Sequence, residues 1–289
     1  MEKRISGTTG LYCLIGTPVG HSGSPAMYNY SFEKLGIDSA YVAFDISEEK
    51  VASAIEAFKT LNIRGANVTM PCKNAVVNYM DELSPAARIV GAVNTIVNDG
   101  GKLTGHITDG VGFLRNLKEH GVNIKNKRIT ILGAGGAATA IQVQCALDGA
   151  KEINIFNIKD DFYNKAEKTI ENIKKEVPEC IVNLYDLEDL QKLNDKIAAS
   201  DILVNATHVG MHPHEEQSPI KDTSIFRKDL VVADVVYNPR KTKLLEDAEA
   251  AGCKTVGGIG MLLWQGAEAF KLYTGLEMPT EEVNELYFK

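Results

Sequence analysis

The chain has 289 residues, 44% hydrophobic and 24% charged, with 31 Lys and Arg against 38 Asp and Glu for a net charge of −7. At roughly 100–200 residues per domain that length points to two domains; the composition is globular rather than disordered, and the acid excess excludes the basic field that nucleic-acid binding needs. Five scattered cysteines (Cys13, Cys72, Cys145, Cys180, Cys253) without a CxxC pair exclude a disulfide scaffold and point to reduced thiols in the cytoplasm, and no window approaches the ~20 apolar residues of a membrane span.

Apolar runs of strand length alternate with stretches of helical period nearly end to end, which predicts an α/β fold with largely parallel sheets. Strands are expected near Tyr12–Gly16, Tyr41–Asp45 and Gly65–Thr69. Between the last two, Val51, Ala54, Ile55, Phe58 and Leu61 follow the 3-4 spacing of a helix. Another helix is expected after Ser24-Pro25, with Ser24 as its N-cap and Pro25 at the first helical position. A second α/β unit opens at about Lys127: strand Arg128–Leu132, a glycine turn, helix Ala137–Leu147, strand Glu152–Asn157, charged helix Phe162–Val177, then strands Ile181–Tyr185, Asp201–Asn205 and Leu230–Asp234. We place the domain boundary near residue 110. On composition alone the apolar helix around Met261–Tyr273 could belong to either domain.

Gly133-Ala134-Gly135-Gly136-Ala137-Ala138 fits G-x-G-x-x-G/A between an apolar strand and a helix. The first glycine permits the tight turn, the second lets the backbone approach a pyrophosphate, and Ala138 is small enough for helix–strand packing. The helix N-terminus then offers N–H groups and positive dipole to phosphates. This predicts a doubly wound Rossmann domain over residues 111–265. After its second strand the chain reads Asn157-Ile158-Lys159-Asp160. Asp160 would accept the ribose hydroxyls and repel a 2′-phosphate, favouring NAD; its plain alternative is an N-cap, and Lys159 keeps NADP open.

Three polar segments end apolar runs in the first 110 residues: His21-Ser22-Gly23-Ser24-Pro25, Asn67-Val68-Thr69-Met70-Pro71-Cys72-Lys73, and Gly91-Ala92-Val93-Asn94-Thr95 followed by Thr108-Asp109-Gly110. Each alone has a plain reading as cap, turn or solvated surface. Together with the glycine turn, Asn205-Ala206-Thr207, Val209-Gly210-Met211, Val236-Tyr237-Asn238-Pro239 and Gly260-Met261-Leu262-Leu263-Trp264-Gln265-Gly266, they run in the order of the shikimate dehydrogenase family. The chain resembles that family over essentially its whole length, and is most similar to the quinate/shikimate dehydrogenase branch.

The resemblance implies an N-terminal substrate domain (residues 1–110) on which the C-terminal helix, about 266–289, packs back, a cleft active site, and reversible oxidation of a ring hydroxyl of shikimate or quinate. Lys73 and Asp109 match the family's catalytic pair. Ser22, Ser24 and Tyr237 match groups that hold the substrate carboxylate, and Thr69, Asn94 and Gln265 those that read its hydroxyls. Gly133, Ala134, Gly135, Gly136, Ala137, Asn157, Ile158, Lys159, Asp160, His208, Val235, Val236, Tyr237, Asn238 and Gly258 are the implied cofactor contacts. The chemistry agrees, since a lysine amine beside the reacting oxygen can take the hydroxyl proton and return it.

Ile107 stands where the family commonly has Asn, and Ile158-Lys159 replace arginines, which favours NAD. The expected function is therefore NAD-dependent oxidation of quinate or shikimate. The alternatives are an NADP-specific biosynthetic shikimate dehydrogenase and a catalytically silent dinucleotide sensor. His208, His212 and His214 form no metal-site pattern; Cys72 is read as a bystander thiol and Trp264 as core. No nucleic-acid or membrane partner is expected, and a homodimer is one option for the assembly.

Overall fold

The computed structural model describes residues 5–288 and divides into two compact units: the described residues through Thr108 together with the segment from Gln265, and Asp109–Trp264. The first unit opens with β1 (Gly10–Gly16), α1 (Ser24–Lys34), β2 (Ser39–Asp45), α2 (Val51–Thr60) and β3 (Gly65–Val68), and continues through α3 (Cys72–Ala75), β4 (Glu82–Leu83), α4 (Pro85–Val90), β5 (Thr95–Asp99) and β6 (Lys102–His106). Along α2 the 3-4 spacing buries Val51, Ile55 and Phe58.

The sheet order is β2-β1-β3-β5-β6-β4. It is mixed rather than largely parallel, because β5 runs antiparallel to both β3 and β6. For β5 and β6 the cause is a two-residue hairpin loop, Gly100-Gly101, with φ of 59° and 101°. Two consecutive left-handed positions suit glycine and turn the strand straight back, where a parallel neighbour would need a crossover.

The second unit holds α5 (Asp109–Glu119), β7 (Arg128–Leu132), α6 (Gly136–Leu147), β8 (Glu152–Asn157), α7 (Asp161–Glu176), β9 (Ile181–Asp186), α8 (Leu190–Ala198), β10 (Ile202–Asn205), β11 (Val231–Asp234), α9 (Lys243–Ala250) and β12 (Lys254–Val256). Its strands are all parallel, in the order β12-β11-β10-β7-β8-β9. Ile129, Ile131, Ile153, Ile155, Leu203 and Val232 are buried, as expected of a parallel sheet covered on both faces. Strand order reverses at β7, with β8 on one side and β10 on the other, so the crevice for a ligand lies outside the carboxyl ends of these strands.

α10 (Ile259–Thr274) enters the first unit at Gln265 and is followed by α11 (Thr280–Tyr287). Within that unit Phe270 packs on Phe32 with ring centroids 5.5 Å apart, and the Tyr28 hydroxyl donates to the Gly266 carbonyl at 3.0 Å.

Candidate active site

The polar segments of the first unit end its strands. Gly16, at φ 147°, closes β1 against the side chain of Thr69, where a Cβ would collide with the Thr69 methyl. The Thr69 N–H donates to the Ile15 carbonyl at 2.9 Å and the Thr17 N–H to the Met70 carbonyl at 3.0 Å, which fixes the loop leading into α3. Lys73 lies on α3, half-buried, and its carbonyl accepts from the Val93 N–H at 2.9 Å, joining the Lys73 and Asn94 segments. Asn94 is 3% exposed; its Oδ1 accepts from the Thr108 N–H at 2.9 Å and its Nδ2 donates to the Thr108 hydroxyl at 3.1 Å. Gln265 is half-buried on α10.

The cap of α1 falls one residue earlier than expected. Gly23 is the N-cap, Ser24 is inside the first turn, and the Ser22 hydroxyl accepts from the Ser24 N–H at 3.2 Å. The Ser24 N–H is thus taken and Pro25 has none, which leaves the Ala26 N–H and the positive dipole end of α1 for an anion, with the Ser22 and Ser24 hydroxyls beside them.

In the second unit Asp109 is the first residue of α5. The next residue, Gly110, lies against the Ala140 carbonyl of α6, where a Cβ would collide with the oxygen. Gly133 takes φ 105°, with the Ala206 carbonyl 2.7 Å from where its Cβ would be, and its N–H donates to the Phe156 carbonyl at 2.7 Å. Nothing lies within 4 Å of a Cβ built on Gly135 or Gly136, and no side chain caps α6. An open glycine cradle on an uncapped helix at the strand-order reversal fits a dinucleotide pyrophosphate.

Asp160 caps α7: its Oδ1 accepts from the Phe162 N–H at 2.9 Å, the Tyr163 N–H at 3.1 Å and Asn157 Nδ2 at 2.8 Å. One oxygen of Asp160 is therefore committed to the helix. Lys159 is ion-paired with Asp186 at 3.1 Å, and Ile158 is exposed. His208, Tyr237 and Asn238 are exposed, whereas Val236 is buried. Gly258 lies flat against the Val235–Val236 backbone, with the Val236 carbonyl 2.7 Å from a Cβ position.

The residues that sequence reasoning missed lie behind these loops. Asp234, 1% exposed, accepts from Asn205 Nδ2 at 3.0 Å, the Val236 N–H at 2.9 Å and the Thr242 hydroxyl at 2.7 Å. Desolvation raises its carboxyl above the ordinary aspartate range, opposed by the three donors. Asn205 in turn accepts from the Thr207 N–H and hydroxyl at 3.1 and 2.7 Å, so one buried carboxylate anchors the loops that carry His208 and Tyr237. An aspartate ending the apolar run Val231-Val232-Ala233 was the available signal.

Among the described residues no group of three His, Cys, Asp or Glu could hold a metal ion, and no helix is long and apolar enough to cross a membrane. Cys72 is buried, with its Sγ 3.4 Å from the Ile46 carbonyl and its pKa raised by burial. Trp264 is half-buried beneath the Arg115 guanidinium, 4.8 Å from the ring centroid, rather than core as expected, because α10 turns that position outward from Leu263.

The model of the shikimate dehydrogenase substrate binding domain matches residues 14–96, and that of the shikimate 5′-dehydrogenase C-terminal domain residues 258–286. A Listeria monocytogenes protein named shikimate dehydrogenase (NADP(+)) is 52% identical, covering 100% of this chain and 99% of its own. This chain belongs to the shikimate dehydrogenase family. It is an NAD(P)-dependent oxidoreductase acting on a CH–OH group. The crystal structure of a Listeria monocytogenes shikimate 5-dehydrogenase with shikimate and NAD is similar at TM-score 0.96 and 52% identity, over 99% of each chain. A Corynebacterium glutamicum quinate dehydrogenase with NAD is similar at TM-score 0.86 and 34% identity, over 97% of this chain and 99% of that one.

Proposed function

We propose that this chain interconverts shikimate and its 3-dehydro ketone, with NADP as the preferred dinucleotide and the cytoplasm as its compartment. The observation that carries this reading is the 52% identity over the full length to a relative named shikimate dehydrogenase (NADP(+)). It reverses the order expected from Asp160 alone, since that carboxylate has a capping role that accounts for its presence.

The first unit binds the substrate. Ser22, Ser24 and the start of α1 receive the carboxylate, and Thr69, Asn94 and Gln265 read the ring hydroxyls. The second unit binds the dinucleotide along Gly133–Ala137, Asn157–Asp160, His208, Val235–Asn238 and Gly258. When bound there, the dinucleotide supplies the hydride acceptor. Lys73, as the neutral amine, takes the hydroxyl proton while hydride leaves the carbon that bears this hydroxyl, and as the ammonium it polarises the ketone in reverse. Asp109 accepts from a ring hydroxyl. Lys159 is the cation we assign to the 2′-phosphate, in exchange for Asp186.

NAD is the second reading, supported by the second oxygen of Asp160, by the Lys159–Asp186 pair and by the NAD held by the 52% identical structure. Initial rates with shikimate at equal NADP and NAD concentrations test the choice. Higher rates with NADP are expected; a clear NAD preference would replace the first reading with the second. Quinate is the second substrate reading, resting on the 34% identical quinate dehydrogenase, and belongs in the same assay.

A further inference from the structure

The sheet of the first unit carries buried polar residues that the proposed roles do not use. In its register Tyr41 lies opposite Tyr12, Asn67 opposite Leu14, and Thr95 opposite Asn67. Residues two apart on a strand share a face, so Tyr41, Asn67 and Thr95 lie on one side of the sheet. They are 1%, 7% and 0% exposed.

Their hydrogen bonds run in one direction. The Tyr41 hydroxyl donates to Asn67 Oδ1 at 2.8 Å, Asn67 Nδ2 to Thr95 Oγ1 at 3.2 Å, and the Thr95 hydroxyl to Asn94 Oδ1 at 3.0 Å. The Thr108 N–H reaches the same Asn94 oxygen at 2.9 Å. The Thr108 hydroxyl also lies 3.2 Å from that oxygen and 3.1 Å from Nδ2; an amide oxygen has two lone pairs, so the Thr95 and Thr108 donors fill Asn94 Oδ1 and leave the amide one Nδ2 hydrogen to offer a ligand. The direction originates at Tyr41, whose phenol is kept protonated by burial. Without that hydroxyl the Asn67 amide is held through Nδ2, by Thr95 Oγ1 and by the Asn94 carbonyl at 3.4 Å; were it to turn over, its oxygen would face Thr95, whose hydroxyl would donate to Asn67 instead of Asn94.

We propose that Tyr41, Asn67 and Thr95 are positioning residues that hold Asn94 as a hydrogen-bond donor toward a substrate hydroxyl, an inference that rests on reading Asn94 as a substrate-binding group. Two near-isosteric variants test it. Tyr41→Phe keeps the ring that stacks on Tyr28 with centroids 4.5 Å apart, and Thr95→Val keeps the branched shape. Loss or misdirection of one hydrogen bond to the ligand corresponds to a change of about three- to tenfold. Each variant is expected to raise KM for shikimate by that factor, with kcat within about twofold and KM for the dinucleotide unchanged. In an Asn94→Ala background neither should raise KM further, because the group they position is gone.

If Asn94→Ala raises KM and both relay variants leave it alone, the relay does not position Asn94. If the relay variants act equally strongly in the Asn94→Ala background, their role is structural and the proposal is overturned. Should Asn94→Ala leave KM for shikimate unaltered, the reading of Asn94 itself fails and takes the relay with it, a result distinct from the other two.

Discussion

Replacing Asp234 by Ala removes the acceptor of three donors at a site 1% exposed to solvent: Asn205 Nδ2, the Val236 N–H and the Thr242 hydroxyl. A buried donor left unpaired costs about 1–3 kcal/mol. The hydroxyl can rotate and water can enter the vacated space, so the low end applies, about 3 kcal/mol for the three. At roughly 2–4 °C per kcal/mol for a unit of this size, the melting temperature should fall by about 6–12 °C. Differential scanning calorimetry measures this directly. A fall below about 2 °C would refute the picture of one carboxylate holding two loops and the start of α9.

The same residue predicts a pH dependence. Burial raises the Asp234 pKa in the folded protein, so between the ordinary value of about 3.9 and the raised one the folded state binds more protons than the unfolded. Stability from this group is thus greatest at low pH and declines as the pH rises through that window. Wild type should lose stability relative to Asp234→Asn as the pH rises from about 4; the opposite slope would mean that the three donors outweigh desolvation.

Lys73→Ala should lower kcat by on the order of 10²–10⁴ while KM for the dinucleotide stays near the wild-type value; near-normal turnover would remove Lys73 from the proton path. Gly133→Ala forces an L residue to φ 105° with its Cβ 2.7 Å from the Ala206 carbonyl. It should raise KM for the dinucleotide at least about tenfold, with shikimate binding unchanged when measured by calorimetry without dinucleotide. An unaltered dinucleotide KM would place the pyrophosphate elsewhere.

Much of this structure is legible in the chain because it rests on local rules. The second unit's strands are covered on both faces and read as apolar runs, and its glycine turn shows both the left-handed demand at Gly133 and the open backbone at Gly135 and Gly136. The antiparallel β5 and β6 were missed because polar residues interrupt their apolar pattern, although Asp99-Gly100-Gly101-Lys102 carries a hairpin signature. The cap of α1 was misplaced by one residue because Ser22 and Ser24 are both competent, and only geometry shows that the Ser22 hydroxyl takes the Ser24 N–H. Asp234 and the Tyr41–Asn67–Thr95 relay depend on residues far apart in sequence meeting across a sheet, which periodicity cannot reveal. Asp160 shows the limit from the other side, since one carboxylate type serves equally as a helix cap and as a ribose ligand.

The measurement closest to the central claim is steady-state turnover of the purified chain with shikimate, following reduced dinucleotide by absorbance, with NADP and NAD each varied to saturation. The account predicts saturable shikimate-dependent reduction of the dinucleotide, a higher kcat/KM with NADP, and near-complete loss in Lys73→Ala. A folded protein that turns over shikimate with neither dinucleotide would contradict it.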